Sequence, residues 1–134
     1  MSEIPAKPVP TPTAMSQPYW DGVANGELRL QSCGACGTPR HYPRLLCDRC
    51  YSDDVKWVTA SGKGKIHSWT VAHHPYHPAF VTEVPYTLVL VDLVEGPRAL
   101  GRWNGDDLKI GDAVEGKFVA REDGSDLVFS STSG

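Results

Sequence analysis

Ser32-Cys33-Gly34-Ala35-Cys36-Gly37 and, across a ten-residue spacer, Cys47-Asp48-Arg49-Cys50 hold every cysteine of this 134-residue chain. Two C-x-x-C pairs at this separation can gather four thiolates around one tetrahedral ion. Four deprotonated sulfurs in one place are tolerable only around a cation, so Cys33, Cys36, Cys47 and Cys50 are expected to bind metal. Gly34 and Gly37 permit the tight turns that aim backbone N–H groups at sulfur. The second pair has no glycine and must turn on ordinary residues. Zn2+ is the default ion, and iron in a similar all-thiolate site stays open. With every position filled by cysteine no site is left for water, so the metal is expected to be structural. Two disulfides are the competing reading. They would suit a secreted chain, but nothing here resembles a signal peptide, and a cytoplasmic chain is expected.

Working outward from the cysteines, residues 1–15 are rich in proline and read as a flexible tail. Ser16 can cap a helix, Pro18 suits its first turn, and Tyr19, Trp20 and Val23 give it an apolar side, with Gly26 ending it after about ten residues. Glu27 to Gln31 reads as a strand entering the first pair. The spacer Thr38 to Leu46 reads as a loop stiffened by Pro39 and Pro43. This helix and the cysteine region form one unit, residues 16–58.

Beyond Val55-Lys56-Trp57-Val58 the pattern turns to strands, and residues 59–134 form the second unit. Lys65 to Ala72 alternates, with Ile66, Ser68, Thr70 and Ala72 on one face and His67, Trp69 and Val71 on the other. Tyr86 to Val94 is nearly continuously apolar, as expected of a strand buried on both sides. Arg98 to Trp103, Ala113 to Ala120 and Leu127 to Phe129 complete five strands. Turn signals at Glu95-Gly96-Pro97, Asn104-Gly105-Asp106-Asp107 and Asp123-Gly124-Ser125 separate them. Five such strands, short turns and one long loop from His73 to Pro85 fit a small barrel of OB type, with a β-sandwich as the other option.

Charge bounds the partners. A formal net charge of −3 and a sequence pI near 5.9 argue against a general nucleic-acid binder. No apolar run approaches the roughly 20 residues that span a bilayer. The chain carries no phosphate-binding glycine loop and no activated-serine context. His73 and His77 stand four apart, but Pro75 and Pro78 disfavour the helix that would make them a metal pair.

The order of these parts resembles the DUF35 family. Tyr19-Trp20-Asp21-Gly22, Glu27-Leu28-Arg29-Leu30-Gln31, both cysteine pairs, Pro85-Tyr86 and Ile110-Gly111-Asp112-Ala113-Val114 carry the likeness over residues 16–130. The resemblance implies a mainly β chain: a short N-terminal helix, a rubredoxin-like zinc ribbon and a C-terminal five-stranded OB-fold barrel. It also implies a non-catalytic acyl-CoA-associated subunit that joins a thiolase-superfamily enzyme in a hetero-oligomer. The foremost such partner is a lipid-transfer-protein-like aldolase of steroid side-chain degradation. Thiolase/HMG-CoA synthase and acyltransferase complexes are the alternatives. Under that reading Arg40, Arg44, Lys63 and Lys65 are candidates for the phosphates of a coenzyme A thioester, because arginine donates two parallel hydrogen bonds to such groups. The remaining readings are an OB-fold nucleic-acid module, which the acidic C-terminal barrel disfavours, and an independent hydratase or aldolase, for which no activated nucleophile stands out.

Overall fold

The computed structural model describes residues 10–75, 77–105, 107–121 and 124–132. Most of the proline-rich tail, residues 1–9, therefore lies outside the described residues, as do Asp106 and Asp123 of two expected turns.

Helix α1 spans Gln17–Ala24, eight residues against the ten expected. The Ser16 hydroxyl makes no capping bond to it. It is taken instead by a turn with Thr13, whose backbone N–H it accepts at 2.9 Å. Gly26, at φ +73°, lets the chain leave the helix in the left-handed conformation that glycine tolerates. The Glu27 N–H then bonds the Gly22 carbonyl at 2.7 Å.

Strand β1 (Leu28–Cys33) pairs antiparallel with β2 (Pro39–Arg40) on one side and β3 (Val55–Ala60) on the other. The spacer expected to be loop throughout thus contributes a two-residue strand. The reason is local: Gln31 faces Arg40 in register, and the turn between the first cysteine pair and Pro39 is short enough to return the chain alongside β1.

The remaining strands are β4 (Lys63–Ala72), β5 (Tyr86–Leu93), β6 (Arg98–Trp103), β7 (Ala113–Arg121) and β8 (Gly124–Ser131). They close in the order β4-β5-β6-β8-β7. Closure leaves the barrel no free strand edge. The core is Leu28, Leu30, Ile66, Val89, Val91, Leu93, Ala99, Val114 and Phe129, joined by Ala60. Phe129 is fully buried and packs between two glycines. A Cβ on Gly101 would stand 2.6 Å from its ring, and one on Gly116 2.7 Å. Val114, Gly116 and Phe118 alternate along β7 on the inward side, with the middle position left bare for the phenyl ring.

Two expectations about the strands are corrected. A β-bulge between Ile66 and Ser68 makes His67 an extra residue, so the strand changes face there. Trp69, opposite Val89, and Val71, opposite Thr87, share the face of Ile66; Ser68 and Thr70 do not. Strand β5 is also not buried on both sides. Val89, Val91 and Leu93 are buried and their neighbours are only partly covered, because the outer face of the barrel carries no second layer over its full length.

Candidate functional site

The four cysteine sulfurs all lie within 4.8 Å of one another. Cys33 Sγ and Cys50 Sγ are 3.5 Å apart, and Cys36 Sγ and Cys47 Sγ 3.6 Å. A disulfide needs about 2.05 Å, which removes that reading. Tetrahedral thiolates about 2.3 Å from zinc stand about 3.8 Å from one another, so this donor set fits the ion.

Each pair is a knuckle built the same way. In the first, the N–H groups of Ala35 and Cys36 point at Cys33 Sγ at 3.4 Å. In the second, the Arg49 N–H points at Cys47 Sγ at 3.3 Å. Cys33 N–H bonds the Thr38 carbonyl and Cys47 N–H the Ser52 carbonyl, both at 3.0 Å. Gly37 turns the first knuckle at φ +77°, and Tyr51 turns the second at φ +61°. Gly34 serves by its lack of bulk: a Cβ there would collide with the Asp54 carboxylate.

Without a cation this cluster cannot ionise evenly. Hydrogen bonds from the Thr38 hydroxyl and backbone lower the Cys36 thiol to about 6. Cys50 has a favourable backbone bond from Ser52, yet its neighbouring sulfurs and burial drive it up to about 12. A bound divalent ion resolves that conflict by taking all four as thiolates. The ion's role here is to hold two loops together. The fold supplies no further ligand position among the described residues.

The predicted phosphate-binding residues fall in two places. Arg40 is only 5 % exposed. Its Nε donates to Gln31 Oε1 at 2.5 Å and its Nη2 to the Arg44 carbonyl at 3.1 Å, so its guanidinium is committed inside the ribbon. Arg44 is exposed, while its backbone N–H donates to the same Gln31 oxygen at 2.7 Å. Lys63 and Lys65 line a cavity of about 570 Å³ on the barrel, together with Asp92 and Glu115. Lys65 lies opposite Asp92 across β4–β5, and Lys63 opposite Glu115 across β4–β7. Asp92 also accepts from Arg98 Nε at 2.7 Å and faces His67 Nδ1 at 3.2 Å. The Arg98 bond, with His67 behind it, holds the Asp92 carboxyl below the usual carboxylate range.

Among the described residues His73 and His77 belong to no group of three or more potential metal ligands. His77 Nδ1 accepts the Ala79 N–H at 3.0 Å and caps a single 3-10 turn, Pro78–Phe80. The four cysteines are the one group of three or more potential metal ligands among the described residues.

Two arrangements escaped the sequence reading. Trp20, Tyr19, His41 and Tyr42 form a run of ring contacts from α1 into the ribbon, with centroids 4.9, 5.4 and 3.9 Å apart. Burial lowers His41 to about 4 and, with Tyr42 nearby, raises the Tyr19 phenol to about 12. The second is a seam of about 320 Å³ between α1 and the barrel, with Arg102 over the Tyr86 ring at 4.6 Å and paired to Glu83. Loop-to-strand pairs such as Glu83 with Arg102 leave no periodic trace in a sequence.

A four-cysteine ribbon stapled to a closed five-stranded barrel defines the class: a zinc-ribbon and OB-fold protein. Comparison with known families agrees. Residues 20–56 match the family described as "ChsH2, rubredoxin-like zinc ribbon domain", and residues 57–119 match "ChsH2, C-terminal OB-fold domain". A "DUF35 domain-containing scaffold protein" of Methanothermobacter thermautotrophicus is 35 % identical, the match covering 77 % of this chain and 80 % of that protein. The chain belongs to the DUF35 family. A "Probable enoyl-CoA hydratase alpha subunit" of Thermomonospora curvata is 42 % identical over 69 % of this chain. A "3-oxo-4,17-pregnadiene-20-carboxyl-CoA hydratase alpha subunit" of Mycobacterium tuberculosis is 35 % identical over 81 % of it. The matches span 30 % and 37 % of those two longer proteins. A solved chain titled "Ltp2-ChsH2(DUF35) aldolase" superposes with a TM-score of 0.82 at 34 % identity, covering 92 % of this chain and 98 % of that one. No helix among the described residues is long and apolar enough to cross a membrane.

Proposed function

We propose that this chain is a non-catalytic, cytoplasmic scaffolding subunit that binds a coenzyme A thioester within a thiolase-superfamily enzyme complex. The foremost candidate is a lipid-transfer-protein-like aldolase acting on steroid side chains. The observation that carries this reading is the near-complete overlay on the Ltp2-ChsH2(DUF35) aldolase chain. The steroid-CoA hydratase subunit among the relatives supports the substrate class.

The chain's own chemistry is consistent. Gathering every thiol into the metal cluster removes cysteine from any nucleophilic role. Under this reading exposed Arg44 and the cavity lysines Lys63 and Lys65 contact the thioester's phosphates. Arg40 acts indirectly, by fixing the loop that presents Arg44. The boundaries 1–15, 16–58 and 59–134 stand as the proposed division of the chain. The ribbon sheet runs on to Ala60 before the barrel begins at Lys63.

The test is turnover of a steroid or acyl-CoA substrate by the partner enzyme, by this chain, and by both together. The reading expects activity from the pair and none from this chain alone. Full activity of the partner without this chain would overturn it.

A further inference from the structure

The two cysteine knuckles are alike in trace but unequal in protection. In the first, each sulfur takes two hydrogen bonds. Cys33 Sγ accepts from the Ala35 and Cys36 N–H groups, and Cys36 Sγ accepts from the Thr38 hydroxyl, at 3.2 Å, and from the Thr38 backbone. In the second, among the described residues, each takes one. Cys47 Sγ accepts from the Arg49 N–H and Cys50 Sγ from the Ser52 backbone. With all four sulfurs ionised around a cation, none donates to another. A hydrogen bond to a thiolate stabilises its charge and blunts its attack, so a sulfur with fewer donors is the better nucleophile.

Exposure separates the sulfurs further. Cys33 and Cys47 are buried, each 1 % exposed, whereas Cys36 and Cys50 are open to solvent. Cys50 alone combines an open surface with a single donor. It is followed by Tyr51 at φ +61°, the left-handed region that costs a tyrosine what glycine would not lose. Letting go of Cys50 frees that turn. Cys33 Sγ stands 3.5 Å from Cys50 Sγ, in the other knuckle and in reach as a resolving thiolate.

We propose that Cys50 is the oxidant-sensitive sulfur of the ribbon, and that hydrogen peroxide converts Cys50 and Cys33 to a disulfide joining the two knuckles as zinc leaves. The Cys50 thiolate attacks one peroxide oxygen. The O–O bond breaks, a sulfenic acid forms on Cys50, and the other oxygen departs as hydroxide. The Cys33 thiolate then attacks the Cys50 sulfur, the S–S bond forms, and a second hydroxide leaves. Two solvent protons turn both hydroxides into water, and the two sulfurs supply the two electrons that reduce the peroxide. Cys36 and Cys47 are left as two ligands where the ion needs four. The new bond keeps the loops joined, so a thiol reductant with zinc restores the site. None of this depends on the function proposed above.

The purified full-length zinc form is treated with one equivalent of hydrogen peroxide, with and without dimedone, which traps sulfenic acid. A chromogenic dye follows zinc release, and peptide mass spectrometry maps the cysteines. Dimedone is expected on Cys50. Without it, a Cys33–Cys50 linked peptide pair is expected to grow in step with zinc release, and dithiothreitol with zinc to reverse both. Thr38→Val, which strips the hydroxyl from Cys36, is expected to bring dimedone onto Cys36 as well. Cys50→His, which offers a ring nitrogen in place of the sulfur, is expected to slow zinc release about tenfold. Wild-type labelling of Cys36 equal to or above that of Cys50 overturns the proposal. So does a disulfide within one knuckle, zinc retained after the peroxide is consumed, or a Thr38→Val map identical to wild type. The wild-type map decides the matter even where Cys50→His fails to fold.

Discussion

Tyr51 occupies in the second cysteine knuckle the place that Gly37 occupies in the first. Both residues follow the last cysteine of their pair, both have positive φ, and both donate a backbone hydrogen bond to the carbonyl of the first cysteine, at 3.0 and 2.9 Å. Glycine adopts that conformation freely, whereas a tyrosine held there costs about 1 kcal/mol or more. The Tyr51 side chain is exposed and recovers little by packing. Tyr51→Gly should therefore raise the melting temperature of the zinc form by a few degrees, and Gly37→Tyr should lower it. Calorimetry of the two variants checks both signs.

Gln31 is the hub of the ribbon loop. Its single carbonyl oxygen accepts from Arg40 Nε and from the Arg44 backbone, and it is almost fully buried. Gln31→Leu leaves a buried guanidinium N–H short of an acceptor, which costs about 1–3 kcal/mol. Replacing Gln31 and Arg40 together, as leucine and methionine, should cost clearly less than Gln31→Leu alone. Urea unfolding of the three variants measures the difference.

His41 makes stability depend on pH. Its folded value of about 4 lies below the 6.5 it takes when unfolded, through burial. Between these values the unfolded chain binds the extra proton, so stability falls as pH is lowered from 6.5 toward 4 and is unaffected by His41 above that window. At about 1.4 kcal/mol per pH unit the loss is about 3 kcal/mol at most. His41→Phe, which keeps a ring between Tyr19 and Tyr42, should flatten this part of the profile.

The metal adds a second acid sensitivity of the same sign. Protons compete for the four sulfurs, so zinc should leave as pH falls, and a chelator should unfold the ribbon. The released ion is counted with a chromogenic dye. Zinc leaves the native protein colourless, while ferric iron in the same site would give a visible thiolate band.

Phe129 gives a test of the barrel. Phe129→Ala should cost about 3–5 kcal/mol. Gly116→Ala, which pushes a methyl group into the same ring, should cost about 1–3 kcal/mol. Adding Gly116→Ala to Phe129→Ala should cost less than it does alone, because the methyl then enters the space the ring has left.

Much of this architecture is legible in the sequence. The cysteine spacing specified the metal cluster because coordination is local to two short loops. The barrel strands followed from apolar runs and the turn residues between them. The face of Trp69 and Val71 did not, since a bulge at His67 shifts the alternation without altering composition. Arg40 looked like a surface cation, and its burial depends on Gln31, nine residues away and one strand over. The seam was invisible for the same reason. It is assembled from α1, the loop at Phe80 and four barrel strands, which meet only in the folded chain.

The most direct test of the central claim is native mass spectrometry of this chain co-expressed with a lipid-transfer-protein-like aldolase from the same cell. The account predicts a discrete hetero-oligomer in which each copy of this chain carries one zinc ion. Two separate species at matched concentration, with zinc fully loaded, would contradict it.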